Sequence, residues 1–423
     1  MKMVGDTRRF KLENILSEKQ VHHIVKQAIG ADAWSLQGCD VRAATDGLAG
    51  FLGDHMRATL QVAVAGELKN IHLFIKCIPM SNQPKAQFID NNQYFKRERY
   101  MFKVLDEIRD DNDPKPWCPK AYIYTDSMIV MPDLAVDGYA SRHYLHTLDY
   151  QHEMFGAATL ARFHAAFTNY ETKKSILNGR PFNSNEECGS LLDEPAFCDS
   201  PFIKASAKLT ANFIKVYSSK SYKDEPDLEQ KIAKQYLVAC DTIKEYKETL
   251  NILIHKDLWV NNMMFKYENN VLSNAIIVDF QLIRYTPPAF DLMTFMYLTT
   301  SRSFREKHEQ EIFDQYFSVF SANLNDDSKR RMKDLGYDKE NFLYWCERSR
   351  MFGVLEPAAI IPFILMHPKA AQVTFDDPET YDKYMNEDRT EPVLAYAQKC
   401  GVYRERLLEI SEEFVERYVL DES

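Results

Sequence analysis

The chain begins with hydrophobic residues at helical spacing and then changes to short apolar segments of strand-like character. Ser17 opens a capping-box pattern before apolar residues on one helical face, which predicts a helix to about Ile29, with Gly30 as its C-terminal stop. Residues 60–64 and 71–75 are typical of strands. The turn residues between these two segments predict a hairpin.

The middle of the chain separates two kinds of pattern. A helix is predicted over residues 88–108, and residues 110–116, rich in Asp and Pro, are typical of a turn or loop. Two short strands are predicted next, and beyond Pro132 the spacing is mainly helical. The predicted elements of this later part are strands at 121–124 and 128–131, helices at 150–169 and 227–250, a long loop at 178–201, strands at 250–254 and 275–278, and helices after Phe290.

A strand-rich first third joined to a helical remainder predicts an α+β protein with two lobes. The predicted N-lobe, residues 1–131, is a small antiparallel sheet with its helices, and the predicted C-lobe, residues 132–423, is larger and helical. The chain has no internal repeat.

Composition and charge exclude several classes of protein. With 423 residues, 45% of them hydrophobic and 27% charged, the chain can bury a large core, which excludes disorder as the dominant state. Its net charge of −10 gives no global attraction to nucleic acid or to an anionic membrane. The N-terminus lacks a signal-peptide pattern, and the longest apolar run, residues 358–366, is far short of the ~20 residues that span a bilayer. We therefore expect a cytoplasmic protein without membrane insertion or a nucleic-acid partner.

The strongest chemical signal lies at the ends of two apolar segments. His255-x-Asp257 is followed by Asn262, and Asp279 ends the next strand-like segment. An aspartate in this position can accept a proton from a substrate hydroxyl, and asparagine and aspartate oxygens suit Mg²⁺. The set predicts phosphoryl transfer. A binuclear metallophosphoesterase would need further His, Asp and Asn clusters, and the sequence shows no second one.

A lysine within an apolar strand needs a partner. Lys76 lies in the apolar segment 74–78, where an unpaired charge would be costly, and Glu98 on the following helix is the natural candidate. The alternative is an edge-strand lysine that faces water. His164, on the predicted helix 150–169, is expected to be a buried, hydrogen-bonded core histidine rather than a catalyst.

Two further segments are candidate nucleotide contacts. Gly47, Gly50 and Gly53 are three of only 14 glycines, and their concentration between two strands predicts close backbone approach to a ligand, although a plain turn would explain them as well. Met131 and Asp133 lie at the boundary of the lobes, where an adenine would meet the backbone. The alternative there is simply a strand end.

The order of these motifs resembles a known family. The motifs are Lys76, Glu98, Leu160-Ala-x-Phe-His-Ala165, His255-x-Asp257-x-Trp259-x-x-Asn262, Asp279-Phe280-Gln281 and residues 288–292, Pro-Ala-Phe-Asp-Leu. Over about residues 40–370 they are similar to the ecdysteroid kinase-like family, in the choline kinase and aminoglycoside phosphotransferase branch of the protein-kinase-like fold.

The resemblance implies an enzyme that uses ATP and Mg²⁺ to phosphorylate a hydroxyl of a small molecule. By this resemblance, Asp257 is the catalytic aspartate, and Asn262 and Asp279 are the magnesium ligands. Lys76 and Glu98 are the pair that positions the phosphates. The segment 47–53 is the nucleotide loop, and the oligomeric state is left open.

Two positions depart from the family pattern. Position 256 is Lys, where the family more often has Gly, and this side chain would add a cation near the transferred phosphate. Position 132 is Pro, where an acidic residue would be expected, and proline cannot donate a backbone hydrogen bond at the hinge.

The substrate and the alternatives to catalysis stay open at the sequence level. The family name implies an ecdysteroid or another steroid-like alcohol, whereas a choline- or aminoglycoside-type kinase would take a cationic substrate. A catalytically silent pseudokinase is a further alternative. Candidate pocket residues, which core packing would explain equally well, are Tyr285, Phe290, Tyr297, Trp345 and Phe352.

Overall fold

Three long strands build the first lobe. The computed structural model describes residues 9–45, 52–79 and 82–420, and the strands of this lobe form one antiparallel sheet in the order β1-β2-β3-β5-β4. The elements in chain order are α1 (Glu18–Ile29), β1 (Ser35–Ala43), β2 (Asp54–Val64), β3 (Glu67–Cys77), α2 (Gln83–Asn91), α3 (Tyr94–Ile108), β4 (Ile123–Tyr124) and β5 (Met128–Pro132).

Helices cover both faces of this sheet. Leu73, Ile75 and Cys77 of β3 face the apolar side of α1, because alternate side chains of a strand point to opposite faces. Lys76 therefore points to the other face, where α3 packs, and it is only 3% exposed. Since β3 lies between β2 and β5, the interpretation of Lys76 as an edge-strand lysine in water is wrong.

The predicted start of the lobe is confirmed. The Ser17 hydroxyl accepts a hydrogen bond from the Gln20 N–H, the Gln20 side chain accepts one from the Ser17 N–H, and Gly30 ends the helix in the left-handed conformation. The predicted hairpin also forms, with strands longer than expected. Its turn is only two residues, Ala65 and Gly66, at φ of 51° and 85°.

The single helix predicted over 88–108 is wrong, because two helices, α2 and α3, occupy this part of the chain. The break falls at Asn92 and Gln93, and Gln93 adopts φ of 57°, outside helical geometry. The apolar residues of α2 and α3 fit the periodicity of one continuous helix, so this periodicity alone did not reveal the break.

The second lobe is mainly helical, with two small sheets next to the first lobe. One sheet has the order β6-β8-β9, and β10 pairs with β7. The elements are β6 (Tyr139–Ser141), α4 (Tyr150–Asn178), α5 (Ser184–Cys188), α6 (Pro201–Tyr217), α7 (Leu228–Cys240), β7 (Ile252–Ile254), β8 (Met263–Glu268), β9 (Val271–Ile277), β10 (Arg284–Thr286), α8 (Ala289–Thr299), α9 (Arg302–Asn323), α10 (Asp326–Leu335), α11 (Lys339–Ile364), α12 (Pro368–Phe375), α13 (Tyr381–Asn386), α14 (Thr390–Lys399) and α15 (Gly401–Tyr418).

The α+β architecture with a small antiparallel-sheet lobe and a larger helical lobe is confirmed. Several boundaries differ from the predictions: α7 ends at Cys240 instead of 250, α4 continues to Asn178, and the loop predicted over 178–201 contains α5. The strand β8 was not predicted at all. The boundary between residues 131 and 132 falls one residue before β5 ends, and as a division into lobes it stays a prediction.

The length and apolarity of the helices decide whether any of them could cross a membrane. Within the described ranges, no single helix is long and apolar enough to cross a bilayer. Only α11 and α12 taken together pass, and they are bent by 95° relative to each other.

A close contact between α4 and α8 gives a test of the core. A Cβ built on Gly156 of α4 would overlap with the ring of Phe295 on α8. We expect Gly156→Ala to lower the free energy of unfolding by about 1–3 kcal/mol, because the core must shift to make room. Urea denaturation of the variant measures this. Gly401→Ala is the control, since its nearest neighbour is the end of the Arg404 side chain at 3.8 Å. Equal stability of Gly156→Ala and wild type would contradict this packing.

Candidate active site

One buried carboxylate fixes the loop that follows β7. The backbone N–H groups of His255 and Lys256 each donate to Asp291 at 2.6 Å. His164 Nε2 lies 3.0 Å from the same carboxylate, and its Nδ1 is hydrogen bonded to Tyr316. His164 is fully buried, so the prediction of a hydrogen-bonded core histidine is confirmed.

Asp257 lies at the centre of this loop and is buried. The Asn262 Nδ2 donates to its Oδ2 at 3.0 Å and to its carbonyl oxygen at 2.7 Å. The Asp257 N–H donates to His255 Nδ1 at 3.1 Å. Burial, together with the nearby negative charge of Asp279, raises the pKa of Asp257 to about 7. The carboxylate is thus a better proton acceptor than an ordinary aspartate.

Lys76 joins the two lobes through three hydrogen bonds. Its Nζ lies 2.8 Å from Glu98 on α3, 2.7 Å from Asp279 and 2.7 Å from Gln281. Burial by itself lowers the pKa of Lys76, but the carboxylates of Asp279 and Glu98 outweigh it and raise that pKa. The predicted contact between Lys76 and Glu98 is therefore present, and the lysine is charged.

These residues border a cleft between the lobes. The cleft has apolar walls that suit a flat ring and polar groups at one end. Its apolar lining consists of Phe74, Met131, Pro132, Leu134, Trp259, Met264 and Val278. Its polar lining includes His55, Arg57, Lys76, Glu98, Asp133, Asn262 and Asp279. The structure thus brings together six of the predicted site residues: Lys76, Glu98, Met131, Asp133, Asn262 and Asp279.

The glycine segment is only partly described. Gly47 and Gly50 lie outside the described residues. Gly53 packs against β3, where an added Cβ would lie 3.2 Å from the Cys77 carbonyl oxygen and 3.3 Å from Cγ of Lys76. A glycine is therefore suited to this position because the backbone approaches the lysine strand closely.

Pro132 does not disturb the strand that carries it. Asp133 donates its N–H to the His72 carbonyl oxygen at 3.0 Å, and Pro132 stands opposite Leu73. Paired residues of antiparallel strands alternate between hydrogen-bonded and non-hydrogen-bonded positions, so Pro132 falls between two bonded positions. Asp133 also forms an ion pair with Arg57, whose Nε lies 3.1 Å from its Oδ2.

The predicted magnesium ligands are close in the fold. Asn262 precedes β8, Asp279 follows β9, and the Val278 N–H donates to the Asn262 carbonyl oxygen at 3.0 Å. Within the part of the chain that the structure describes, no three His, Cys, Asp or Glu side chains form a group that could hold a metal ion. One carboxylate and one amide oxygen nevertheless fit Mg²⁺, which usually takes few protein ligands and completes its shell with water and phosphate oxygens.

A second, mainly apolar cleft borders residues 255–262, which hold the candidate base Asp257 and which we call the catalytic loop. Asp257, Asp279 and Trp259 contribute to its floor, and aromatic side chains form much of its wall. These aromatic residues are Phe88, Tyr94, Phe197, Phe202 and Phe363. The aromatic residues that the sequence suggested, namely Tyr285, Phe290, Tyr297, Trp345 and Phe352, are instead buried in the core.

The sequence offered little signal for the second cleft. Its wall comes from α2, α3, α6, α11 and the segment before α6, which lie far apart in the chain. Each aromatic residue on its own fits ordinary helix packing. Only the contact between segments distinguishes the wall from the core.

Lys256 does not enter the first cleft as expected from its place in the motif. Its Nζ forms an ion pair with Glu194 at 3.0 Å, and its side chain borders the second cleft. Glu194 holds the ammonium group at the second cleft, and the expectation of a cation near the transferred phosphate stays a prediction.

Comparison with known proteins gives the family. The model of the ecdysteroid kinase-like family matches residues 48–327, and the chain belongs to this family. Its fold is the bilobal protein-kinase-like fold, and the family is one of small-molecule kinase-like phosphotransferases. No curated protein sequence matches the chain.

Solved structures of small-molecule kinases are similar to the chain at low identity and with low TM-scores. An ethanolamine kinase from Plasmodium vivax is 12% identical with a TM-score of 0.41, over 92% of this chain and 91% of that one. A microcompartment-associated aminopropanol kinase is 12% identical with a TM-score of 0.38, over 94% and 98% of the two chains. A choline/ethanolamine kinase family protein from Mesorhizobium loti is 12% identical with a TM-score of 0.32, over 92% and 99%. With scores this low, these likenesses carry no argument about the substrate.

Replacement of Asp291 tests whether its carboxylate fixes the loop that follows β7. We expect Asp291→Ala to lower the free energy of unfolding by about 2–4 kcal/mol, because two buried N–H groups lose their acceptor. Chemical denaturation measures the loss. Asp334→Ala, on α10, replaces an exposed aspartate and is the control. If the two variants are equally stable, the carboxylate does not hold the loop.

Proposed function

We propose that the protein is a kinase that uses ATP and Mg²⁺ to phosphorylate a hydroxyl group of a neutral, largely apolar small molecule, such as a steroid-like alcohol. The observation that carries this proposal is the position of Asp257. It borders the apolar cleft, while its partner Asn262 borders the cleft between the lobes. Nucleotide and acceptor would thus meet at the hydrogen-bonded pair of Asp257 and Asn262.

The residues of the first cleft suit a nucleotide. The apolar walls would hold the adenine, and Lys76, kept in place by Glu98, would bind the phosphates. Asn262 and Asp279 would hold Mg²⁺, which neutralises charge on the phosphates when bound. Lys76 now donates to Asp279, so it is already oriented towards the predicted metal ligand.

Asp257 would orient the acceptor hydroxyl and take its proton as the phosphoryl group is transferred. A general base works best when its pKa is near the working pH, and burial raises the pKa of Asp257 to about 7. The same low-dielectric surroundings keep water away from the reacting hydroxyl.

The lining of the second cleft favours a neutral acceptor over a cationic one. Among the described residues that line it, only Asp257 and Asp279 are acidic, and both have roles in the proposed reaction. Its one basic residue, Lys256, is paired with Glu194, and Asp279 is paired with Lys76, so little negative charge is left to attract an amino alcohol. The aromatic and aliphatic wall suits an apolar ring system, which favours the steroid-like alcohol over a choline- or aminoglycoside-type substrate.

A pseudokinase is the second candidate, but the described site speaks against it. Lys76, Asp257, Asn262 and Asp279 are all present, and each forms at least one of the hydrogen bonds described above. A protein that only binds nucleotide would have no use for a buried base at the mouth of an apolar cleft.

The test is ATP consumption with a small panel of acceptors. We expect turnover with ecdysone, a neutral polyhydroxylated steroid, and none with ethanolamine or choline. Mass spectrometry of the product would show the added phosphoryl group. Turnover with the amino alcohols alone would overturn the neutral-acceptor assignment, and thermal stabilisation by ATP without turnover of any acceptor would favour the pseudokinase.

The role of Asp257 gives a direct prediction. Asp257→Asn is expected to fold and to bind nucleotide but to lose about 10²–10⁴-fold in kcat, since the amide cannot accept the proton. Nucleotide binding is measured by calorimetry and turnover by ADP release. Asp227→Asn, the same change just before α7, is the control. Near-wild-type turnover of Asp257→Asn would remove it as the base.

Lys76 is tested by removal of its charge. Lys76→Met is expected to reduce kcat/KM by about 10²-fold or more, because the phosphates lose a buried cation. Glu98→Gln is expected to lose less, since Lys76 can still reach the phosphates. Lys69→Met, on the exposed part of the same strand, is the control. Full activity and unchanged ATP affinity of Lys76→Met would place the nucleotide elsewhere.

A further inference from the structure

A lysine occupies a backbone position that favours glycine. Lys256, directly before the proposed base, has φ of 66°, in the left-handed region that side chains other than glycine rarely adopt. A strained backbone conformation persists where other interactions of the residue compensate for its cost. Such residues are concentrated at functional sites. At position 256 the backbone N–H donates to Asp291, and the side chain makes a further contact that a glycine could not make.

The side chain of Lys256 is almost completely buried and makes specific contacts. Its Nζ forms an ion pair with Glu194 at 3.0 Å, and the side chains of Lys256 and Glu194 are only 1% and 7% exposed. The same Nζ lies 4.3 Å from the ring centre of Phe197 and 5.9 Å from that of Phe352. A buried cation between two rings and a carboxylate is a well-ordered contact.

Glu194 is the charged partner in this pair. Burial by itself raises the pKa of Glu194, but the positive charges of Lys256 and Arg284 outweigh it and hold that pKa below its ordinary value. Burial raises the pKa of the neighbouring Glu356 well above its ordinary value, which favours the neutral form of this second carboxyl. The negative charge that balances Lys256 is therefore on Glu194.

Glu194 also organises the backbone that follows it. Its Oε1 accepts hydrogen bonds from the N–H groups of Ala196, at 3.2 Å, and Phe197, at 3.0 Å. Ala196, Phe197 and Phe202 all line the apolar cleft. We call residues 193–202 the wall segment. One carboxylate oxygen thus connects the catalytic loop to the wall segment.

We propose that the pair formed by Lys256 and Glu194 positions the wall segment against the catalytic loop, and that it thereby sets how well the acceptor binds. This proposal rests on the proposed function, because it takes the apolar cleft as the acceptor site. Lys256 is a positioning residue here, since it acts through Glu194 and Phe197. Its left-handed backbone is maintained because a glycine, although better suited to φ of 66°, could not hold Glu194.

The first test needs no acceptor and no activity. Hydrogen–deuterium exchange of the peptide that contains Ala196 and Phe197 is measured in wild type, Lys256→Gly, Lys256→Met and Glu194→Ala. We expect these amides to exchange at least about tenfold faster in all three variants, because the acceptor of their hydrogen bonds is lost or released. Glu194→Gln keeps an oxygen for the two amides and should change less. Asn270→Gly, another left-handed position at φ of 62°, is the control for the glycine backbone and should leave the peptide unchanged.

The second test separates acceptor binding from chemistry. With ecdysone as acceptor, Lys256→Gly and Glu194→Ala are expected to raise the acceptor KM about tenfold. The reason is that the acceptor must then order the wall segment as it binds, which lowers its affinity. The KM for ATP and kcat should change much less. The double variant Lys256→Gly/Glu194→Ala should be no worse than either single variant, because both break the same contact.

The outcomes distinguish this proposal from the proposed function. If no acceptor is turned over by the wild type, the proposed function fails, and the exchange experiment still decides whether the pair orders the wall segment. Unchanged exchange at Ala196 and Phe197 in Lys256→Gly and Lys256→Met would overturn the proposal. So would a loss of kcat at unchanged acceptor KM, since that result would assign Lys256 to the chemical step.

Discussion

The proposed chemistry depends on one buried carboxylate that never meets a substrate. Asp291, at the start of α8, accepts two backbone hydrogen bonds of 2.6 Å from the catalytic loop. An unpaired negative charge could not be buried there, so the loop and the helix are stable only together. With the loop fixed, Asp257 faces one cleft and Asn262 the other. The two clefts therefore meet at the hydrogen-bonded pair of Asp257 and Asn262, without a flexible connection between them.

Much of the first cleft was predictable because its signals are local. Asp257, Asn262 and Asp279 lie within 23 residues, at the ends of short apolar strands. This spacing can be recognised without knowledge of the surrounding fold. Lys76 was predictable for a different reason. A charge in an apolar strand that is covered on both faces must have a partner, and the next helix supplied Glu98. The capping box of α1 and the hairpin are signals of the same local kind.

The second cleft was not predictable, because its wall exists only after distant segments have packed. Phe88, Phe197 and Phe363 belong to three separate parts of the chain, and nothing in their neighbours distinguishes them from core residues such as Phe352. The direction of Lys256 was missed for a related reason. Its motif suggested a position near the phosphates. The ion pair with the buried Glu194, which comes from a remote loop, instead holds the side chain at the second cleft.

The position of Trp259 has a practical consequence. This indole borders both clefts, and only 8% of the residue is exposed. A ring that enters either cleft alters the polarity around the same fluorophore, so the chain contains an intrinsic optical reporter at the junction of its two binding sites. Because the chain has four tryptophans, Trp259→Phe is the reference, and changes in emission that this variant lacks can show whether each ligand binds without the other, with no label and no turnover.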